Sequence, residues 1–272
     1  MQFRFPPGGL FSSPVPTPRG QRFWIRHLWA PLGLFTSLAT VLALTDLDRR
    51  ISLAWAFDPG SGTFPARNAW WAENLLHGHG RDLIWLVVLT CVAMLVLSRY
   101  RVALRDWRRP LCFVVAAIGL TTGLIGGLKQ VTRVHCPWDL EGFGGSQPYL
   151  PVFGARNPEV KPGTCFPGAH AGSGFALFAL YFALRDRHRR WARVALWATF
   201  VVGITFAIGQ EARGAHFVSH DLCSSFLAWF ICLTLYLTIR PARNSSVSSA
   251  PHLGAAHQST GAREELDPAR LI

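Results

Sequence analysis

The chain has 272 residues, of which 50% are hydrophobic and only 15% are charged, and its formal net charge is +12. A soluble globular domain carries about 25% charged residues, so this composition with its long apolar runs excludes an ordinary soluble domain. Nucleic-acid binding would require the cations to form one soluble face. Most arginines instead fall in blocks between apolar runs, which is typical of the loops that set membrane topology.

Six apolar runs approach the ~20 residues that a helix needs to cross a bilayer. In chain order they cover residues 28–44, 83–97, 111–128, 167–184, 194–209 and 222–239. The predicted fold class is therefore all-α, a polytopic membrane bundle of about six transmembrane helices. The predicted organisation is an N-terminal segment 1–27, a first helix with its loop over 28–82, a core membrane domain over 83–240, and a disordered tail over 241–272.

The two densest arginine blocks cover residues 99–109 and 185–193. With six spans, both blocks and both termini lie on one side of the membrane. The positive-inside rule makes that side the cytoplasm, although scattered arginines within 45–82 argue weakly for the opposite orientation. The other ends of the apolar runs then meet on the non-cytoplasmic side.

Three polar clusters from distant parts of the sequence are predicted to meet there. They are Lys129 with Arg133, Gly168 with His170, and the stretch 213–221, which contains Arg213, His216, His220 and Asp221. Ionisable groups next to hydrocarbon are costly, so such a convergence indicates a functional site.

The cations in these clusters suit an anionic phosphate. Guanidinium groups match phosphate oxygens in pairs and lysine adds a point charge, so we expect Lys129, Arg133 and Arg213 to bind it. Lys129 and Arg133 are four residues apart and share a face if the helix continues through both. Gly168 at a helix start lets a phosphate approach backbone N–H groups closely.

The histidines supply reactive groups. His216 is the candidate nucleophile, and either His220 or Asp221 can hold its second ring nitrogen. His170, on another helix, can protonate a departing alkoxide. This set of residues requires no metal and no cofactor. The i, i+4 spacing of His216 and His220 leaves a metal pair as the alternative interpretation.

These residues resemble the type 2 phosphatidic acid phosphatase family, integral-membrane lipid phosphatases related to vanadium haloperoxidases. The family motifs are Lys-x6-Arg-Pro, Pro-Ser-Gly-His and Ser-Arg-x5-His-x3-Asp, and the matching stretches here are 129–137, 167–170 and 209–220. Four motif positions differ in this chain. Cys136 stands for the first arginine, Gly168 for the serine, Gln210 for the second arginine and His220 for the aspartate, with Asp221 following. Arg133 and Arg213 are the expected replacements for the two arginines.

The resemblance implies a haloperoxidase-like helical core and a metal-independent phosphatase. His216 would attack phosphorus and form a phosphohistidine, His170 would protonate the leaving oxygen, and Lys129, Arg133 and Arg213 would hold the phosphoryl oxygens. The predicted substrate is a lipid phosphomonoester or pyrophosphate at the periplasmic face of a bacterial inner membrane. The expected partners are that lipid and the surrounding membrane lipids, without nucleic acid.

Several alternatives remain open from the sequence. The chain could be a lipid phosphotransferase, or a non-catalytic binder or transporter of lipid phosphates. The lipid itself is not specified, since phosphatidic acid, phosphatidylglycerol phosphate, polyprenyl pyrophosphate and lipid A phosphate all combine an apolar tail with an anionic head. The oligomeric state is also open. A disulfide between Cys136 and Cys165 would hold the first two motifs together in an oxidising compartment.

Overall fold

A computed structural model describes residues 20–152, 154 and 161–239 of the chain, and the extended regular elements in these ranges are helices. They are α1 (Gln21–Leu44), α2 (Leu47–Trp55), α3 (Trp71–Leu97), α4 (Arg108–Thr132), α5 (Ala169–Leu184), α6 (Arg189–Ala212) and α7 (Val218–Thr238). The all-α prediction is confirmed. The tail predicted over 241–272 and most of the segment 1–27 lie outside the described residues.

Within the described ranges, five helices are long and apolar enough to cross a membrane: α1, α3, α4, α6 and α7. Their outer faces carry large exposed hydrophobic side chains such as Leu34, Leu86 and Val201. An all-round apolar exterior on helices of this length suits a lipid solvent, in which a helix satisfies its own backbone hydrogen bonds. The chain is therefore a multi-pass membrane protein.

The shorter apolar helix α5 lies at the centre of the bundle and packs against α4, α6 and α7. Its phenylalanines Phe175, Phe178 and Phe182 are all buried. Small residues allow close approach to the neighbouring helices. A Cβ atom on Gly172 would meet Ile125 of α4, and one on Gly174 would lie 2.9 Å from a ring carbon of Phe206 in α6.

Several helices extend beyond the predicted apolar runs. Helix α3 begins at Trp71 rather than at residue 83, and α7 begins at Val218 rather than at residue 222. The added turns carry polar residues, among them His77 in α3 and Asp221 in α7. Hydropathy marks only the lipid-facing length of a helix, whereas backbone hydrogen bonding continues into its polar end. The polar side chains therefore sit on rigid helices rather than in loops.

One expected helix extension is absent. Helix α4 ends at Thr132, and Arg133 caps it in the left-handed conformation with φ of 53°. The helix therefore does not continue through Arg133, and the condition under which Lys129 and Arg133 would share one helical face is not met. Lys129 lies in the last turn of the helix, whereas Arg133 begins the following loop.

The helix ends separate into two groups. Helices α4 and α6 begin next to arginine-rich segments and end at Thr132 and Ala212, close to the polar motif residues. At that second end, the loops pack through an aromatic cluster of Phe57, Phe64, Phe143 and Phe217, with ring centroids 5.3 to 5.9 Å apart along the chain of contacts. The motif residues thus lie between the membrane helices and a packed layer of loops.

Candidate active site

The centre of the site is a buried pair formed by His216 and Asp221. His216 lies in the short link between α6 and α7, and Asp221 lies in the first turn of α7. His216 is 4% exposed and Asp221 is 3% exposed. His216 Nδ1 is 2.8 Å from Asp221 Oδ1. A carboxylate can only accept, so Nδ1 carries the proton and donates it. The remaining nitrogen, Nε2, is left with its lone pair.

The structure distinguishes the two candidates for holding His216. His220 does not contact His216 Nδ1. The centroids of the two imidazole rings are 5.9 Å apart, and the His220 ring packs edge-on against Phe166 and Phe217. The His220 carbonyl instead accepts a hydrogen bond from the Gly168 N–H at 3.2 Å. Asp221 therefore occupies the orienting position, one residue after the place where the family pattern has its aspartate.

Burial holds the pKa of His216 well below that of an exposed histidine, and the positive charges of Lys129 and Arg213 lower it further. A group with a lowered pKa is neutral at and above the ordinary histidine value. The imidazole is thus available as a nucleophile at neutral pH.

The predicted phosphate-binding cations occupy different environments. Lys129 Nζ donates to the Thr164 carbonyl at 2.7 Å. Arg213 donates from Nε to the Arg67 carbonyl at 3.1 Å and has a terminal nitrogen 3.8 Å from the Glu73 carboxylate. Among the described residues, the Arg133 guanidinium makes no hydrogen bond or ion pair. The charges of Lys129 and Arg213 act on His216, whereas no contact among the described residues ties Arg133 to it.

His170 lies beside this pair in the first turn of α5. Its Nε2 is 3.0 Å from the Leu76 carbonyl, so Nε2 carries a proton and donates. Its ring stacks on Phe206 with centroids 4.2 Å apart and lies 4.6 Å from the ring of His77. With Nε2 engaged, Nδ1 is the atom of His170 that can exchange a proton with a bound substrate.

Gly168 packs directly against the buried pair. A Cβ atom at this position would overlap the Asp221 carboxylate and lie 2.7 Å from His216 Nδ1. The family serine therefore cannot be accommodated with the aspartate at position 221. The glycine at position 168 and the aspartate at position 221 are therefore linked departures from the family pattern, because the Asp221 carboxylate occupies the space that a serine side chain at position 168 needs.

Replacing Gly168 with serine is accordingly expected to separate His216 from Asp221 and to lower kcat by about 100-fold or more, because an orienting hydrogen bond in a catalytic pair is lost. Ala171→Ser, in the same helix turn, is not a suitable control because Ala171 is fully buried. Ala169→Ser is suitable, since Ala169 is exposed. Steady-state phosphate release by the two variants gives the comparison. Equal kcat for both variants would show that position 168 has room for a side chain.

Three residues near the site were not predicted from the sequence. Gln210 Nε2 is 2.9 Å from His77 Nδ1, which joins α6 to α3. Asp48 of α2 is buried, and its Oδ1 accepts a hydrogen bond from the Ser219 N–H at 3.1 Å, which satisfies a free donor in the first turn of α7. Burial raises the pKa of Asp48. For Asp48 and His77 the available signal is the polar composition of residues 45–82, which predicts a connecting loop.

The loop cysteines form a disulfide. Cys136 and Cys165 are bonded, with Cα atoms 5.1 Å apart, and the Cys165 N–H also donates to the Val134 carbonyl at 3.0 Å. Cys136 stands where the family pattern has an arginine. The disulfide links the segment after α4 to the segment before α5. Position 136 therefore connects the first two motif stretches. Within the described parts of the chain, no group of three or more His, Cys, Asp or Glu side chains is arranged to hold a metal ion.

Comparison with known proteins identifies the family. A family model described as the PAP2 superfamily matches residues 110–244, a range that contains all three motif stretches. No curated protein and no solved structure shows significant similarity to the chain. Members of this superfamily are phosphatases that act on phosphorylated substrates. The resemblance inferred from the motifs is confirmed, and residues 110–244 form a PAP2 superfamily domain.

Proposed function

We propose that the protein is an integral-membrane lipid phosphatase that hydrolyses a lipid phosphomonoester or pyrophosphate through a phosphohistidine. The observation that carries this proposal is the position of the His216–Asp221 pair in the link between α6 and α7, two helices long enough to cross a membrane. A group at the end of membrane-spanning helices lies near the level of lipid head groups. A lipid can thus present its phosphate to His216 while its tails remain in the bilayer.

The proposed reaction has two steps. His216 Nε2 attacks phosphorus, the bond from phosphorus to the lipid oxygen breaks, and protonated His170 donates from Nδ1 to that oxygen. Water then attacks the phosphohistidine, neutral His170 takes the proton from the water, and inorganic phosphate leaves as His216 is regenerated. Asp221 stabilises the ring of His216 as it gains positive charge, while Lys129 and Arg213 offset the charge on the phosphoryl oxygens.

The periplasmic side of a bacterial inner membrane is the proposed location of the site, with both termini in the cytoplasm. The arginine-rich segments lie at the opposite ends of α4 and α6 from the site, and such segments favour the cytoplasmic side. The Cys136–Cys165 disulfide lies at the site end, which agrees with an oxidising compartment. Both observations support the same orientation.

Phosphate release from a panel of lipids tests the proposal. The purified chain in detergent micelles is expected to release phosphate from at least one of phosphatidic acid, phosphatidylglycerol phosphate, polyprenyl pyrophosphate and lipid A phosphate. Chelators are expected to leave the rate unchanged, because the proposed steps use no metal. Absence of release from every lipid would contradict a phosphatase and favour a binder. Transfer of the phosphoryl group to added lipid alcohols in preference to water would favour a phosphotransferase.

A further inference from the structure

The position of the family's second arginine is occupied by a buried residue that cannot replace its charge. Gln210 is 3% exposed, and its amide is directed to His77 of α3 rather than to a bound anion. Arg213, the expected replacement, has its guanidinium partly engaged by the Arg67 carbonyl and the Glu73 carboxylate. A further hydrogen-bond donor is therefore needed if this site is to bind phosphate as tightly as a site with an arginine at position 210.

The contact between Gln210 and His77 determines which nitrogen of His77 is protonated. The Gln210 amide nitrogen lies 2.9 Å from His77 Nδ1, and an amide NH₂ group can only donate. Nδ1 therefore accepts, and in the neutral ring the proton resides on Nε2. Among the described residues no group hydrogen-bonds Nε2, and this atom is not sealed within the protein interior. His77 thus presents a fixed N–H donor.

His77 also lies within the site. Its ring centroid is 4.6 Å from that of His170, the proposed general acid. Its position on α3 places it before the region that the family model matches, which begins at residue 110. The donor is therefore supplied by a helix outside the matched region, and a residue inside that region, Gln210, orients it.

We propose that the His77–Gln210 pair binds a non-bridging oxygen of the substrate phosphoryl group through His77 Nε2–H, in place of the arginine that the family pattern has at position 210. This inference rests on the proposed phosphatase function. It assigns to His77 a direct contact with substrate and to Gln210 a positioning role. The pair makes and breaks no covalent bond.

Binding of orthovanadate, a phosphate mimic that adopts the five-coordinate geometry of phosphoryl transfer, tests the assignment. Affinity is measured by calorimetry on the full chain in micelles. His77→Ala and His77→Phe are both expected to weaken binding about 10- to 100-fold, since each removes one hydrogen bond to a charged group. The phenylalanine keeps a ring beside His170, so loss in both variants reports the donor rather than packing. His79→Ala, an exposed histidine on the same helix, is the matched control and is expected to bind as the wild type does.

The double variant His77→Ala/Gln210→Arg is expected to recover most of the lost affinity, because it returns a cation to the position where the family has one. Affinity within twofold of wild type in His77→Phe, or failure of the double variant to bind better than His77→Ala, would overturn the assignment. The measurement is independent of turnover. If the wild type binds orthovanadate but releases phosphate from no lipid, the proposed function fails while the role of His77 is still decided.

Discussion

Replacing His216 with alanine is expected to reduce phosphate release by about 10⁵- to 10⁶-fold, the scale of loss when a covalent nucleophile is removed. The imidazole is the only group placed to attack phosphorus in the proposed mechanism, and its Nε2 lone pair is freed by the Nδ1 contact to Asp221 at 2.8 Å. Steady-state release from the best lipid of the panel gives the ratio. Residual activity would reflect substrate binding and charge stabilisation alone.

Folding of this variant needs a separate check because His216 is buried. Thermal unfolding in micelles and retained orthovanadate binding would show an intact site. His188→Ala, at an exposed histidine that stacks on Trp107 at the opposite end of the bundle, is the matched control and is expected to keep wild-type activity. Turnover by a folded His216→Ala protein at more than a few per cent of the wild-type rate would exclude His216 as the nucleophile.

Asp221→Asn is expected to lower kcat by about 10³- to 10⁴-fold with little change in KM. An amide in place of the carboxylate can donate to Nδ1, which favours the wrong tautomer and leaves no charge to stabilise the phosphorylated ring. The change is nearly isosteric, so the packing with Gly168 is retained. Rates measured over a range of lipid concentrations separate kcat from KM.

His220→Asn provides the comparison, since His220 occupies the position of the family aspartate. Its ring packs on Phe166 and Phe217 and makes no contact with His216 Nδ1, so a loss of about tenfold or less is expected. A larger loss in His220→Asn than in Asp221→Asn would assign the orienting role to His220 and contradict the structural interpretation.

The helical bundle and its polar end could be predicted from composition because both follow from local signals. Apolar runs near spanning length predict helices, and the order of the motif residues predicts which ends meet. The predicted helix boundaries are less accurate at the polar ends of the helices than at their apolar ends. The low hydropathy of residues 71–82 predicts a loop, whereas these residues form the first turns of α3 and include His77.

The identity of the orienting carboxylate could not be predicted, because it depends on the exact helix register. His220 and Asp221 are adjacent, and helical neighbours point about 100° apart, so only one of them can face His216. The start of α7 at Val218 determines which one does. The roles of Gly168 and Gln210 depend in turn on contacts between helices that are distant in sequence. A Cβ clash with Asp221 and a hydrogen bond to His77 leave no periodic signal in the chain.

Trapping the covalent intermediate decides whether His216 is the nucleophile. Wild-type protein is mixed with lipid carrying a labelled phosphoryl group and quenched at alkaline pH within the first turnover, and the labelled peptide is mapped by mass spectrometry. The mechanism predicts label on His216, its appearance before free phosphate, and its absence in His216→Ala. Label on any other side chain, or release of phosphate during the first turnover with no label on the protein at any time, would contradict a phosphohistidine at His216.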